Sequence, residues 1–414
     1  MSAQIDSKPT LIVPANQSLI FSISDTGTTP DRFIVWVLED SVEIAKLYLT
    51  PNTNDVSFFN LAEVVRDRVK VDDKIRDESE TLMSYAALPF TTGRNGLKKY
   101  VVNVGSYDGG VESGTEDTDT VYLLDGVEQI SAGLHPSFAE YYPTASTKKS
   151  WLTDRVPVDN VITLEASDND EGCIAFLNDS TIIGGSSVKI LTTLKDSTGA
   201  TLSTLYDTID VANGAQLQSA SDINQKLTYL MAYPKNFNVW GAGKLTTYPT
   251  WSYYDIEIQS GASAQISNIL RVNRKCTQEK HTNTQLAWTN SVGGWDSVLF
   301  TGRTEHTDMV TSKPFQKQIG NWDASTYTFL PQARESQDYQ VTGKSSFKLI
   351  SVDFSFADIQ LIKYALRSDN LMIRAGSGEW MPVVIDTKSY IVKEAFSGVY
   401  SVSLNVTLAQ SLKC

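Results

Sequence analysis

The sequence predicts an all-β protein of several antiparallel sandwich or barrel-like modules with two short helices. Three observations predict it. Short β-branched and aromatic runs recur along the whole chain, bounded by Gly, Asn, Asp and Pro. In the clearest runs apolar and polar residues alternate, the period of a strand with one buried face. Only two stretches carry the side chains that start helices.

In chain order, strands are expected over 11–13, 18–23, 32–38, 44–49, 99–104 and 120–124, then 161–164, 173–177, 188–194, 202–209 and 254–258, and finally 347–356, 371–374, 381–386 and 400–408. The last strand shows its period best: Val402, Leu404, Val406 and Leu408 on one face, Ser401, Ser403, Asn405 and Thr407 on the other. Within 347–356 the phase slips, which predicts a β-bulge near Ile350 and Ser351. Turn residues predict three hairpins. Gly93-Arg94-Asn95-Gly96 would join 85–90 to 99–104. Asp196 to Gly199 would join 188–194 to 202–205, and Gly376 to Gly378 would join 371–374 to 381–385.

Asn60 with Glu63 reads as a capping box opening a helix over 60–69. Ser355 with Asp358 opens a second over 356–367, where Ile359, Ile362 and Leu366 share a face. The polar, proline-containing stretch 141–150 reads as a linker, and a second break falls near 273–284. Three β modules are therefore expected: 1–140, 151–275 and 276–414. No internal repeat is evident.

Charge and composition narrow the function. The 414 residues carry 35 Lys+Arg against 48 Asp+Glu, a net charge of −13. That balance argues against nucleic-acid binding as the main task, and no sequence-specific nucleic-acid binding is expected, since neutralising phosphates takes clustered cations. The longest clean apolar run, 33–38, is far short of a membrane span, and residues 1–8 lack a signal peptide's apolar region. Cys173, Cys276 and Cys414 form no disulfide framework, so synthesis and folding in a reducing cytoplasm are expected. From 101 to 147 there is no Lys or Arg but eight acids. An exposed loop over 108–119 is the expectation; a weak calcium site or a docking face for a basic partner are the alternatives.

No catalytic constellation emerges. Cys276 and His281 have a spacing that a metal tolerates but lack a second pair, so no zinc is expected. In Glu305-His306-x-Asp308, His306 and Asp308 would merely share a strand face, with no activated serine in view. Asp168-Asn169-Asp170-Glu171-Gly172 opens like a calcium loop, but Cys173 stands where glycine is needed, so an acidic turn is expected. No catalytic residue, metal or cofactor is assigned. A hydrolase with dispersed carboxylates, such as a glycosidase, stays open. Trp288 and Trp295 flank a Gly-Gly turn, and Phe300-Thr301-Gly302 follows. Such aromatics are buried sheet residues, interface anchors or a sugar-stacking platform; Trp288, Trp295 and Phe300 are the candidate interface anchors.

Some blocks resemble a known family. Residues 32–38, 44–51 and 58–65 are similar to the opening module of structural proteins from tailed phages and prophages of Bacteroidetes, crAss-like phages included. The blocks 151–156 with 173–179, and 290–297 with Phe300-Thr301-Gly302, resemble the modules that follow. The second block departs slightly: Pro157 comes one place later than in the family's Leu-Thr-x-Arg-Pro. The resemblance implies a virion protein of the tail, baseplate or neck. It would be made in the bacterial host cytoplasm and would act by assembling into a homo-oligomeric ring with other virion proteins. It carries no catalytic residues. The alternative from the residues alone is a carbohydrate-binding, adhesin-like protein.

Overall fold

The structure is a computed structural model. It describes residues 2–9, 12–27, 30–72, 82–84, 90–92, 96–126, 141, 150–177, 187–210, 227–260, 263–275, 281–316, 321–323, 326–328, 332, 336–376, 378–386, 400–409 and 412–413. The architecture is all-β, with several antiparallel sheet modules and a few short helices. The chain falls into two units. Unit 1 comprises Met1–Cys276, Ala287–Val298 and Leu361–Ser368; unit 2 comprises Thr277–Leu286, Leu299–Gln360 and Asp369–Cys414.

Two apolar clusters organise the described residues of unit 1. In the first, a three-stranded sheet runs in the order Ala3–Ser7, Ile20–Asp25, Ser57–Asn60. A six-stranded sheet runs Ile12–Pro14, Asp117–Leu124, Leu97–Asp108, Arg32–Glu39, Val42–Leu49, with Val111–Glu112 folded back on Leu97–Asp108. Phe21, Ile23, Phe33, Val35, Val37, Val102, Val104 and Leu123 are all buried in this core, as the two-residue period requires. The acidic stretch differs from an exposed loop. The largely exposed part is 108–115, with a tip at Gly109 and Gly110, which take positive φ, and an irregular stretch over 113–116. Asp117 and Asp119 lie on a strand. Asp117 accepts from the Ile5 amide, Glu116 from the Ser106 hydroxyl, Glu112 pairs with Lys46 and Asp119 with Lys8. These carboxylates fasten the sheet edges.

The second core lies between two further sheets. One runs Trp151–Leu152, Ile174–Leu177, Leu227–Leu230, Phe90–Thr92. The other runs Val161–Ala166, Ile269–Arg274, Tyr253–Ser260, Ser187–Lys195, Thr201–Asp210. Trp151, Phe176, Phe237, Tyr254 and Ile256 fill the space between. The hairpin at Asp196 forms as expected: its carboxylate accepts from the amides of Thr198 and Ala200, and Gly199 takes φ +84°. The hairpin expected at 93–96 does not. Residues 90–92 pair with 228–230 instead, in a different sheet from Leu97–Asp108; the turn residues 93–95 lie outside the described residues. Residues 122–124 pair with 12–14 in parallel, as do 161–166 with 269–274.

Unit 2 is built on one sheet, in the order Leu371–Ala375, Met381–Ile385, Tyr400–Leu408, Ser336–Phe354, Glu305–Gln316. Leu412–Lys413 sits on Ser336–Phe354, and Asn321–Asp323 pairs with Thr326–Thr328 in a separate two-stranded sheet. Strand Tyr400–Leu408 buries Val402, Leu404 and Val406 and exposes Ser401, Ser403 and Asn405, the expected alternation, which breaks at its end: Thr407 is buried and donates to Asp386, and Leu408 is half-buried. Its register against Ser336–Phe354 slips between Ser351 and Phe354, where the bulge was expected.

The helices are shorter than their expected spans. Ala62–Val65 makes one α turn and tightens into a 3₁₀ turn, Arg66–Arg68. The second runs Phe356–Ala365. Its capping box is complete: the Ser355 amide and hydroxyl both donate to Asp358, whose amide donates back to the Ser355 hydroxyl. Two further short helices, Pro234–Trp240 and Lys244–Thr247, were not expected. The signal for the first was Pro234 at its opening position, where a missing N–H costs nothing.

Candidate functional site

The sequence-selected aromatics lie inside the chain. Trp288, Trp295 and Phe300 are 0%, 1% and 0% exposed. Trp295 donates its indole N–H to the Asp72 carbonyl at 2.7 Å, and Phe300 packs edge-on against Phe354 with centroids 5.1 Å apart. The area that an anchor would bury against a partner is already buried within the single chain.

The glycine turn between the two tryptophans has a defined task. Asn290 accepts from the amides of Val292 and Gly294 through its Oδ1, and its Nδ2 donates to the Leu152 carbonyl at 2.9 Å. Gly293 takes φ +81°, and a Cβ on Gly294 would run into the Leu152 carbonyl. The turn thus docks tightly on the strand Trp151–Leu152.

Beside it lies the densest polar cluster that sequence reasoning missed. The Asp154 amide donates to Asp296 Oδ2 at 2.8 Å, and the Thr153 hydroxyl to Asp296 Oδ1 at 2.5 Å. In return the Ser291 amide donates to Asp154 Oδ2 at 3.0 Å, and the Ser291 hydroxyl donates to Asp154 Oδ1. Asp296 also accepts from Asn290 Nδ2 at 3.1 Å. Arg155 brings Nε to 3.9 Å from Asp296 Oδ1 and spends its terminal nitrogens on the carbonyls of Thr163 and Ser297. Burial pushes the Asp154 carboxyl up to about 7. The Asp296 charge adds to the rise, and the two Ser291 donors oppose it. Tyr233 bonds the Ser297 hydroxyl at 2.6 Å, and burial holds its phenol up at about 12. Two neighbouring carboxyl groups, one with its pKa raised, are the raw material of acid–base chemistry. Here every carboxylate oxygen is engaged by a donor of the same chain.

The other candidates resolve into structural contacts. His306 stacks on Phe347, centroids 4.5 Å apart, with Nε2 3.0 Å from Asp308 Oδ1. Ser345 donates to Asp308 at 2.5 Å, so the carboxylate sits between serine and imidazole. A hydrolytic triad needs the imidazole between them. In the acidic turn, Asp168 pairs with Arg274, Asp170 accepts from the Ser167 amide and hydroxyl, and Glu171 pairs with Lys235. Cys173 is buried, with its thiol pushed up by that burial. His135, Cys276 and Cys414 lie outside the described residues. Among the described residues no group of three or more His, Cys, Asp or Glu side chains could hold a metal ion, and no helix is long and apolar enough to cross a membrane.

Two surface features remain. The first is strand Glu305–Gln316, the end strand of its sheet, with all twelve residues exposed; Met309, Val310 and Phe315 are among them. The second is a groove of about 470 Å³ in unit 1 between the edge strands Val42–Leu49 and Ser57–Asn60. Leu47, Leu49, Phe58, Asn60, Glu63 and Val64 line it, and the Phe58 ring is 57% exposed.

Comparison with known proteins gives no family. No protein-family model matches the chain, and no curated protein matches it. Among solved structures, a marsupial T cell receptor is 10% identical over 84% of this chain and 96% of its own, with a TM-score of 0.21. A tetra-tandem repeat from the extending region of a large adhesion protein is 10% identical over 99% and 89%, with a TM-score of 0.19. A Salmonella alpha-2-macroglobulin mutant is 9% identical over 100% of this chain and 30% of its own, also at 0.19. Likenesses this slight carry no argument.

Proposed function

We propose that the chain acts by binding and assembly rather than by catalysis, with Glu305–Gln316 as its contact element. The supporting observation is that this twelve-residue edge strand is exposed along its whole length. An end strand offers a row of backbone donors and acceptors, which a neighbouring chain covers by adding a strand. The sequence resemblance makes that neighbour a virion component, and the chain a ring-forming part of a phage tail, baseplate or neck. Light scattering across a concentration series tests it. The wild-type chain is expected to form a closed oligomer, and M309K with V310K, at the strand's two most exposed apolar residues, to reduce it to monomer without lowering the melting temperature. An unchanged state for the double variant would remove the strand from assembly.

An adhesin-like reading rests on a separate feature, the groove at Phe58. An exposed aromatic ring beside Asn60 and Glu63 suits stacking on a sugar ring with hydrogen bonds to its hydroxyls. A glycan array decides it: binding lost in F58A supports the reading, and no binding by the wild-type chain ends it.

A further inference from the structure

We propose that Asp154 and Asp296 form a proton-dependent clasp, which fastens the chain after strand Trp151–Leu152 to the Asn290–Ser297 segment and loosens when Asp154 loses its proton. The geometry is reciprocal. Each segment lends a carboxylate to the other's backbone: Asp296 takes the Asp154 amide, and Asp154 takes the Ser291 amide. The partners are 142 and 137 residues apart in sequence, so no local turn holds them together.

Charge makes the clasp sensitive to protons. Asp296 is 3% exposed and Asp154 is half-buried. The one cation at the pair is Arg155 on the same segment as Asp154; among the described groups, the other titratable neighbour is Tyr233, whose phenol stays neutral. Asp170, which also acts on Tyr233, is held by Ser167. With both carboxylates ionised the group carries −2 + 1 = −1; with one proton it is neutral. A buried site favours the neutral state. The protonated Asp154 carboxyl then donates to the Ser291 hydroxyl, which rotates to accept.

The sign follows from the folded carboxyl titrating above the unfolded one, whose pKa is about 3.9. The stabilisation is fully present below about pH 4 and is lost as pH rises through about 7, the value of the folded group. The clasp is therefore closed in acid and loosened above neutrality.

Hydrogen exchange on the full chain tests this, with protection factors corrected for the intrinsic pH dependence of exchange. The amides of Asp154 and Ser291 should lose about tenfold or more of their protection between about pH 5.5 and about pH 8.5. Those of strand Ser187–Lys195 should stay level. In D154N, which is permanently neutral, the loss should disappear. D296N should lessen it without abolishing it, because the Asp296 charge only adds to the rise that burial of Asp154 sets. Equal protection at both pH values in the wild-type chain would overturn the clasp whether or not the variants fold. A loss of the same size in D154N would overturn it too.

Discussion

At the scale of single residues, Trp295 shows what a sequence reading finds and what it misses. A tryptophan beside a Gly-Gly turn is legible as an important position, but interior and interface look alike until the fold is known. The structure buries its ring and ties its indole N–H to the Asp72 carbonyl. W295A should therefore lower the stability of the isolated chain by about 3–5 kcal/mol in denaturant unfolding. W295F keeps most of the volume but orphans the Asp72 carbonyl, and should cost about 1–2 kcal/mol. A W295A chain that unfolds like the wild type but fails to assemble would return the residue to an interface role. Asp154 and Asp296 left no sequence signal, because their segments meet only through the long-range fold.

Elements were legible where their determinants are local. The Asp196 hairpin, the Ser355–Asp358 capping box and the alternation along Tyr400–Leu408 each follow from residues within a few positions of one another. S355A should accordingly cost about 1 kcal/mol, read as a lower unfolding midpoint. What escaped depends on distant partners. A hairpin reading of 93–96 is locally sound, yet Phe90–Thr92 finds Leu227–Leu230 across the fold. The parallel pairs 12–14 with 122–124 and 161–166 with 269–274 join strands about a hundred residues apart, and alternation says nothing about a strand's neighbour. The Pro234–Trp240 helix was masked by its length, since two turns give too few apolar positions to establish a period.

At the scale of the whole molecule, chain order and spatial grouping part company. The sequence break near 273–284 coincides with the end of the first segment of unit 1, at Cys276. Two later segments, Ala287–Val298 and Leu361–Ser368, return to that unit. The first of them supplies the Trp295 bond to Asp72, the Asn290 bond to Leu152 and the Asp296 bonds to Thr153 and Asp154. Ser297 gives its carbonyl to Arg155 and its hydroxyl to Tyr233. A fragment ending at Cys276 would leave Arg155 and Tyr233 without these partners, and each buried polar group stripped in this way costs about 1–3 kcal/mol. It would also uncover the Trp151–Leu152 strand. A fragment ending at Val298 keeps the whole returning segment. The longer fragment is therefore expected to unfold cooperatively, at a denaturant midpoint well above the shorter one, and the shorter one to bind a dye for exposed apolar surface. Coincident midpoints for the two fragments would show that residues 287–298 add nothing to unit 1, and that the break near 276 divides the molecule in space as well as in sequence.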